Sequence, residues 1–184
     1  MGEAQDLPAV LNAVEHLKGN QTIRWLIVGD GRKSDWLHTE VKRRGLESNV
    51  SLLGRFPVER MPSFYAHADA LLVSLKKDPV FSLTIPGKVQ SYLMSGIPLI
   101  GMLDGEGARV IKHSGAGIVC AAGDSSCLAM AILKMADLSF EQRSELGSNG
   151  HRYAENEFGR EILIGRLEGF FMEAIKTYNN AVTK

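Results

Sequence analysis

The sequence has little cysteine and no excess of charge of either sign. Its two cysteines, Cys120 and Cys127, have no further cysteine or histidine at metal-ligand spacing. We therefore predict reduced structural thiols in a cytosolic protein, with a disulfide between the two as the alternative. Lysine plus arginine equals aspartate plus glutamate at 21 each, so no overall field attracts nucleic acid or anionic lipid.

Long apolar runs and several catalytic motifs are also absent. No run approaches the roughly 18 apolar residues of a membrane span, and the first ten residues do not have the pattern of a signal peptide. The motifs of P-loop hydrolases, of serine hydrolases with the usual nucleophile elbow and of zincins are missing, and no metal site is predicted. Without repeats or a low-complexity linker, residues 1–184 are predicted to form one domain, with residues 140–184 as C-terminal helices.

Short apolar runs alternate with helical patterns along the chain. Strands are predicted at 23–28, 50–53, 70–74, 97–102 and 117–120. Helices are predicted at 6–18, 33–44, 58–67, 88–95, 106–114 and 125–137, followed by helical periodicity over 140–178 with breaks at 147–150 and 158–159. This alternation predicts an α/β fold with a doubly wound, parallel, Rossmann-like sheet.

Ligands of such sheets bind beyond the carboxyl ends of the strands. The loops that follow Val28, Leu53, Ser74 and Met102 therefore share one edge with the loop 76–87. A ligand site is predicted at this edge.

The stretch 80–101 has the features of an anion-binding site at this edge. Small and polar residues precede a helix there, so free backbone N–H groups and the positive end of a helix dipole face the loop. Lys88 in the first turn opposes the dipole but suits an anion just beyond the helix end. An ordinary surface loop that carries a lysine is the alternative.

Two further glycine-containing motifs follow predicted strands. The turn 29–31, Gly-Asp-Gly, lacks the third glycine of a dinucleotide fingerprint, because position 34 is Ser34, so a backbone role is favoured over ligand binding. The stretch 104–107, Asp-Gly-Glu-Gly, follows a strand and begins a helix. Its acids could hold ligand hydroxyls or cap the helix, and the sequence leaves both open.

Five segments carry a family resemblance. They are LIVGDG at 26–31, VSLLGRF at 50–56, MPSFYAHADALLVS at 61–74, PGK with YLMSGIPLIG within 86–101, and GAGIVCAAGD at 115–124. In order and spacing they resemble the C-terminal half of a GT-B glycosyltransferase of the retaining family 4 type. Together with GEAQDL at the start, they are most similar to bacterial enzymes that build O-antigen or capsular sugars.

The resemblance implies a site for a nucleotide diphosphate sugar, UDP-linked, with no other cofactor, for transfer to a lipid-linked or polysaccharide acceptor. It implies phosphate contacts at Thr84, Ile85, Pro86, Gly87 and Lys88. It implies base contacts at Gly54, Arg55 and Phe56. It implies ribose or sugar contacts at Ser91, Phe81, Ser82 and Leu83.

The chain departs from the family pattern at three positions. Ser91 stands where the family usually has the ribose glutamate, Asp78 is the acid nearest the sugar side, and Gln5 stands where a lysine is common. The phosphate contacts rest on backbone geometry and do not depend on these side chains. The catalytic residues are left unassigned.

GT-B enzymes have two Rossmann-like halves, and 184 residues hold one. The resemblance thus implies that the chain is part of a longer enzyme and is inactive alone. The missing part would be an N-terminal domain that binds the acceptor, and the full enzyme would contact a membrane peripherally. The family's first strand would precede Gly2, so strands 23–28 and 70–74 should either pair directly or leave an open edge. The last helix should pack across the neighbouring domain or, exposed, pair two copies through Ile162, Ile164, Leu167, Phe170, Phe171 and Ile175.

Two other functions stay open. A nucleotide-sugar epimerase would share the donor site and need carboxylates as acid and base, for which Asp104 and Glu106 are the candidates. A non-catalytic binding or partner domain would use the sheet as a scaffold only.

Overall fold

Strands and helices alternate in the computed structural model, which describes residues 2–182. The strands are β1 (Trp25–Val28), β2 (Val50–Gly54), β3 (Leu71–Ser74), β4 (Leu99–Met102) and β5 (Gly117–Cys120). The helices are α1 (Leu7–His16), α2 (Ser34–Arg43), α3 (Met61–Tyr65), α4 (Pro79–Ser82), α5 (Gly87–Met94), α6 (Gly105–Ser114), α7 (Ser125–Asp137), α8 (Phe140–Phe158) and α9 (Arg160–Val182). Short 3-10 turns at Glu3–Gln5 and Val58–Arg60 precede α1 and α3. The predicted α/β class is confirmed.

All strand pairs among the described residues are parallel, as predicted. They form two sheets, because β1 pairs with β2 while β3, β4 and β5 form a separate sheet in that order. Direct pairing of β1 with β3, one of the two expectations, is therefore wrong. The other expectation, an open edge, is what the structure shows.

Helices cover both faces of the three-stranded sheet. Leu72, Ile100 and Ile118 pack in a core cluster with α1 and α7. Their neighbours along the strands, Val73 and Val119, pack in a second cluster with α5, α6 and α8. Since successive strand residues point to opposite faces, this alternation shows the predicted doubly wound arrangement.

A third core cluster lies between the two-stranded sheet and helices α1 and α2. Leu37 and Val41 of α2 are buried there against Ile27 of β1. Trp25 of β1 packs in this cluster and also in the cluster beneath α1 and α7. The two sheets consequently belong to one layer, with β1 as the strand of its sheet that is nearest β3.

The predicted helix break at 147–150 is wrong, because α8 runs through both glycines. A Cβ on Gly147 would lie 1.9 Å from the carbonyl oxygen of Gly96, and one on Gly150 would lie 3.0 Å from Cδ2 of Leu93. The glycines therefore let α8 approach α5 and the turn that follows it. The break at 158–159 is confirmed, since Gly159 leaves the helical conformation with ψ 137°.

The predicted helix 58–67 differs in form. It begins as a 3-10 turn, and the α-helix starts only at Met61. Proline fits the first turn of a helix, where its missing N–H would have no partner, but not the interior, so the position of Pro62 favours a start at Met61. The one-turn helix α4 was not predicted. It is held by the carboxylate of Asp78, which accepts from the amide of Val80 at 2.8 Å.

Helix α9 leaves its apolar residues in solvent. The six residues of the predicted apolar face are all exposed, from 41% for Ile164 to 68% for Phe170. Arg166 of α9 is anchored to Glu157 of α8 at 2.9 Å. No helix among the described residues is long and apolar enough to cross a membrane.

We predict that Gly147→Ala lowers the free energy of unfolding by about 2–3 kcal/mol, because the new methyl group would force α8 away from the backbone of Gly96. Gly165→Ala in α9 is the matched control, since no atom lies within 4 Å of its added Cβ. It should leave stability unchanged or slightly higher. Urea unfolding of the two variants checks this, and equal stabilities would contradict the close packing of α8.

Candidate anion-binding site

The amino-terminal segment connects the two sheets at the carboxyl ends of their strands. Glu3 forms an ion pair with Lys33, in the loop after β1, at 3.0 Å. The amide of Lys76, just beyond β3, donates to the carbonyl of Ala4 at 2.8 Å, and the hydroxyl of Ser74 donates to the carbonyl of Gln5 at 2.6 Å. The loops after β1 and β3 are thus held side by side, a contact that no sequence pattern indicated.

The start of α5 presents free backbone donors at this edge. Among residues 2–182, the amides of Ile85, Gly87 and Lys88 donate to no other group of the chain. Pro86 is the N-cap residue, has φ −59°, and has no N–H of its own. Three donors therefore surround the positive end of the helix dipole.

The loop before α5 is held in place by its own hydrogen bonds. The amide and hydroxyl of Ser82 both donate to the carbonyl of Asp78, at 3.1 Å each. The amide and hydroxyl of Thr84 donate to the carbonyl of Phe81, at 3.3 and 3.1 Å. Gly105 at the start of α6 lies so close that an added Cβ would be 1.9 Å from the carbonyl oxygen of Ser82. The free donors of α5 thus sit on a braced segment.

Lys88 brings a positive charge to these donors. It is exposed at the surface, and no carboxylate in the described part of the chain lies within ion-pair distance of it. Partial desolvation by the surrounding protein lowers the pKa of Lys88. An anion placed here would form an ion pair with the ammonium of Lys88 and would offset the effect of desolvation on its pKa.

Tyr92, one turn further along α5, helps to hold α5 in place. Burial raises the pKa of Tyr92 to about 12, with a smaller contribution from Tyr65. The rings of Tyr65 and Tyr92 meet edge to face at 5.3 Å, which joins α3 to α5. This contact was also missed by the sequence reasoning.

The predicted base-binding residues lie after β2, at the same edge. Gly54 ends the strand with φ +72°, and its carbonyl accepts from the amide of Gly29 at 2.7 Å. Arg55 and Phe56 are exposed, and the ring of Phe56 packs edge to face on Phe64 at 4.9 Å. The structure brings these residues to the surface beside the loop after β1. Their contact with a base stays a prediction.

The predicted sugar and ribose residues are divided between α4 and α5. Phe81 and Ser82 are half-buried and Leu83 is 80% exposed. The hydroxyl of Ser91 donates to the carbonyl of Gly87 at 3.2 Å, inside the helix. Gln5, at the family's lysine position, accepts from the amide of Gly2 at 2.7 Å. The ligand roles of these residues remain predictions.

The acids of the stretch 104–107 are engaged with the protein. Asp104 is the N-cap residue of α6, but its carboxylate accepts from the amide of Ala122 at 3.2 Å and makes no cap bond. Glu106 pairs with Arg109 at 2.6 Å, and that hydrogen bond lowers the pKa of Glu106. Side-chain capping by Asp104 is therefore wrong, and these contacts give both acids a structural role.

The remaining motifs have structural roles too. Gly29 and Gly31 have φ 130° and 143°, which confirms the backbone interpretation of that turn. Cys120 and Cys127 are free thiols, as predicted, and the alternative disulfide is wrong. Burial raises the pKa of the Cys120 thiol to about 12, with a hydrogen bond to Cys127 contributing.

Comparison with known proteins adds to this geometry. A sequence profile of the family described as glycosyl transferases group 1 matches residues 2–137. An N-acetyl-alpha-D-glucosaminyl L-malate synthase of Bacillus anthracis is 25% identical over 156 residues, which cover 84% of this chain and 39% of that protein.

Solved structures share the fold. Anabaena Alr3699/HepE in complex with UDP has a TM-score of 0.77 at 16% identity, over 94% of this chain and 46% of that one. The C-terminal domain of a group 1 glycosyl transferase (LpcC) from Francisella tularensis has a TM-score of 0.66 at 18% identity, over 87% of this chain and 83% of that one. The chain spans less than half of the full-length relatives, and the part it spans has the fold of the C-terminal half of a GT-B enzyme.

We predict that the Lys88 ammonium loses its proton at a pH below the ordinary lysine value, since desolvation penalises the charged form. Inorganic pyrophosphate should shift this titration to higher pH, because a nearby anion favours the ammonium. Nitrogen-detected NMR of the Nζ group measures both, with Lys88→Met identifying the signal. An unshifted titration that pyrophosphate leaves unchanged would contradict the site.

Proposed function

Because the chain belongs to the glycosyl transferases group 1 family, we propose that it binds the nucleotide diphosphate sugar donor of a retaining, metal-independent glycosyltransferase. The observation that carries the proposal is a set of three amides, those of Ile85, Gly87 and Lys88, that have no acceptor within residues 2–182. The Lys88 side chain beside them has no carboxylate of those residues within ion-pair distance. Backbone donors at a helix start, together with a cation, favour a diphosphate over a neutral ligand.

The same groups give the transfer step its electrostatic stabilisation. When the sugar leaves the donor, negative charge develops on the departing diphosphate. Donors already fixed around that position stabilise this charge more than they stabilise the intact donor, which lowers the barrier. The braced loop supplies the fixed geometry, because Gly105 and the bonds to Asp78 hold it before the donor arrives.

We propose a UDP-linked donor whose base lies against Gly54, Arg55 and Phe56 and whose sugar faces residues 81–84. Solved structures of Anabaena Alr3699/HepE hold UDP or UDP-glucose, and this likeness in fold supports uridine as the base. The exposed ring of Phe56 offers a face to a base. Ser91 is proposed to lie beside the ribose in place of the family's glutamate.

We further propose that the acceptor is lipid-linked or polysaccharide, that a separate domain binds it, and that the whole enzyme works in the cytosol against the inner membrane face. The chain alone should bind donor and transfer little, since it spans 39% of its curated relative. The O-antigen or capsule pathway is proposed from the sequence resemblance.

Epimerisation is less well supported than transfer. It would need a carboxylate pair in the cleft, and the pair nominated for it is occupied: Asp104 accepts from Ala122, and Glu106 is paired with Arg109. The geometry therefore favours the transferase.

We predict that Lys88→Ala weakens UDP binding at least about tenfold, the effect of losing one charge-assisted contact of roughly 1.5 kcal/mol. Titration calorimetry measures the change. Lys134→Ala is the matched control, an exposed lysine of α7 remote from this edge, and it should bind UDP like the parent. Equal affinity in the parent and Lys88→Ala would overturn the phosphate assignment.

A second substitution distinguishes binding of the base from binding of the phosphates. Phe56→Ala should weaken UDP binding about five- to tenfold and leave pyrophosphate binding unchanged, because the ring would touch only the base. The same calorimeter compares the two ligands. A parallel loss for both ligands would mean that the loop after β2 does not bind the base.

A further inference from the structure

Helix α4 presents an apolar face beside the start of α5. Val80 is 66% exposed and Leu83 is 80% exposed. The amide of Leu83 donates to the carbonyl of Val80 at 3.3 Å, and side chains three residues apart lie on the same face of a helical turn. Leu83 is two residues before Ile85, whose amide is the first of the three that have no acceptor within residues 2–182. An exposed apolar pair therefore borders the proposed phosphate site.

The polar side chains of this segment are already used by the protein. The hydroxyl of Ser82 donates to the carbonyl of Asp78 at 3.1 Å, and the hydroxyl of Thr84 donates to the carbonyl of Phe81 at 3.1 Å. The carboxylate of Asp78 accepts from the amide of Val80 at 2.8 Å. Residues 79–84 include no acid, and both of their hydroxyl protons are committed to backbone carbonyls.

The acids that follow β4 are engaged as well. Gly105 lies against the backbone of α4, and Asp104 and Glu106 flank it in the chain. Asp104 accepts from the amide of Ala122 at 3.2 Å, and Glu106 is paired with Arg109 at 2.6 Å. A sugar hydroxyl pressed against the apolar face of α4 would lose its hydrogen bonds to water without gaining one of these carboxylates, which costs free energy.

We propose that Val80 and Leu83 determine the specificity for the donor sugar and select a 6-deoxy sugar, whose C6 methyl group packs on them. The inference rests on the proposed function, because it takes the diphosphate to lie at the start of α5 and the sugar to face residues 81–84. A methyl group gives up no hydrogen bond when it leaves water, and its burial against two aliphatic side chains is favourable. The hydroxymethyl group of an ordinary hexose would lose its bonds to water at the same place.

An acetamido group also carries a methyl, but it suits this face less well. Its N–H and C=O need an acceptor and a donor next to the methyl, and the hydroxyl protons of Ser82 and Thr84 and the carboxylate of Asp78 already have partners. A C6 methyl needs neither. The arrangement therefore favours the C6 position as the source of the methyl group.

The test compares UDP-glucose, UDP-6-deoxyglucose and UDP-xylose by titration calorimetry of the full chain. The three sugars differ only at C5, which carries a hydroxymethyl group, a methyl group or hydrogen. UDP-6-deoxyglucose should bind about tenfold more tightly than UDP-glucose and about fourfold more tightly than UDP-xylose, because it alone places a methyl group on the apolar face.

A substitution locates the origin of this preference. Leu83→Ser removes most of the apolar face and should reduce the preference for UDP-6-deoxyglucose over UDP-glucose from about tenfold to about threefold or less. Leu133→Ser is the matched control, since Leu133 is an exposed leucine of α7, and it should keep the preference of the parent. Titration with UDP, which carries no sugar, provides the reference affinity for each protein.

Four results would overturn the inference. Equal affinities for the three UDP-sugars in a chain that binds UDP would do so and leave the proposed function in place. Tighter binding of UDP-N-acetylglucosamine than of UDP-6-deoxyglucose would do so as well, because the methyl group would then belong to an acetamido group. An unchanged preference in Leu83→Ser would remove α4 from the sugar site. A folded chain that binds neither UDP nor any of the UDP-sugars would overturn the proposed function together with this inference.

Discussion

The parallel direction of the strands is the constraint on which the rest of this molecule depends. It brings the carboxyl ends of the strands in each sheet to one edge, and the contacts of Glu3 and Ala4 with the loops after β1 and β3 align the two sheets. The groups proposed to bind the phosphates and the base lie at that edge, at the end of a strand, in a loop or in a first helical turn. An open groove at this edge is lined by Arg55, Phe56, Pro57, Val58, Glu59 and Met61.

The start of α5 is the chemically distinctive part of this edge. Among residues 2–182, no carboxylate lies within ion-pair distance of Lys88, and the neighbouring amides of Ile85 and Gly87 donate to no other group. Helix α8 fixes α5 from behind through Gly147 and Gly150. The position of the proposed phosphate site therefore depends on a close helix contact on the far side of α5.

Much of this could be predicted from sequence because it depends on local patterns. Uninterrupted apolar runs such as that before Gly29 identify buried parallel strands, and the small residues before Lys88 identify a helix start with free donors. The continuous helix across Gly147 and Gly150 could not be predicted, because a glycine that ends a helix and one that admits a neighbouring backbone look alike in sequence. The contacts of Glu3 with Lys33 and of Tyr65 with Tyr92 were missed for a similar reason: they join residues far apart in the chain with no periodicity to connect them.

The most direct measurement of the central claim is an amide NMR titration of the isotope-labelled chain with UDP. If the diphosphate binds at the start of α5, the amide signals of Ile85, Gly87 and Lys88 should shift most, followed by those of Arg55 and Phe56. The amide signals of α7 and α9 should not shift. Saturable shifts confined to another surface, or a folded protein whose signals do not move at millimolar UDP, would contradict the assignment of the diphosphate to the start of α5.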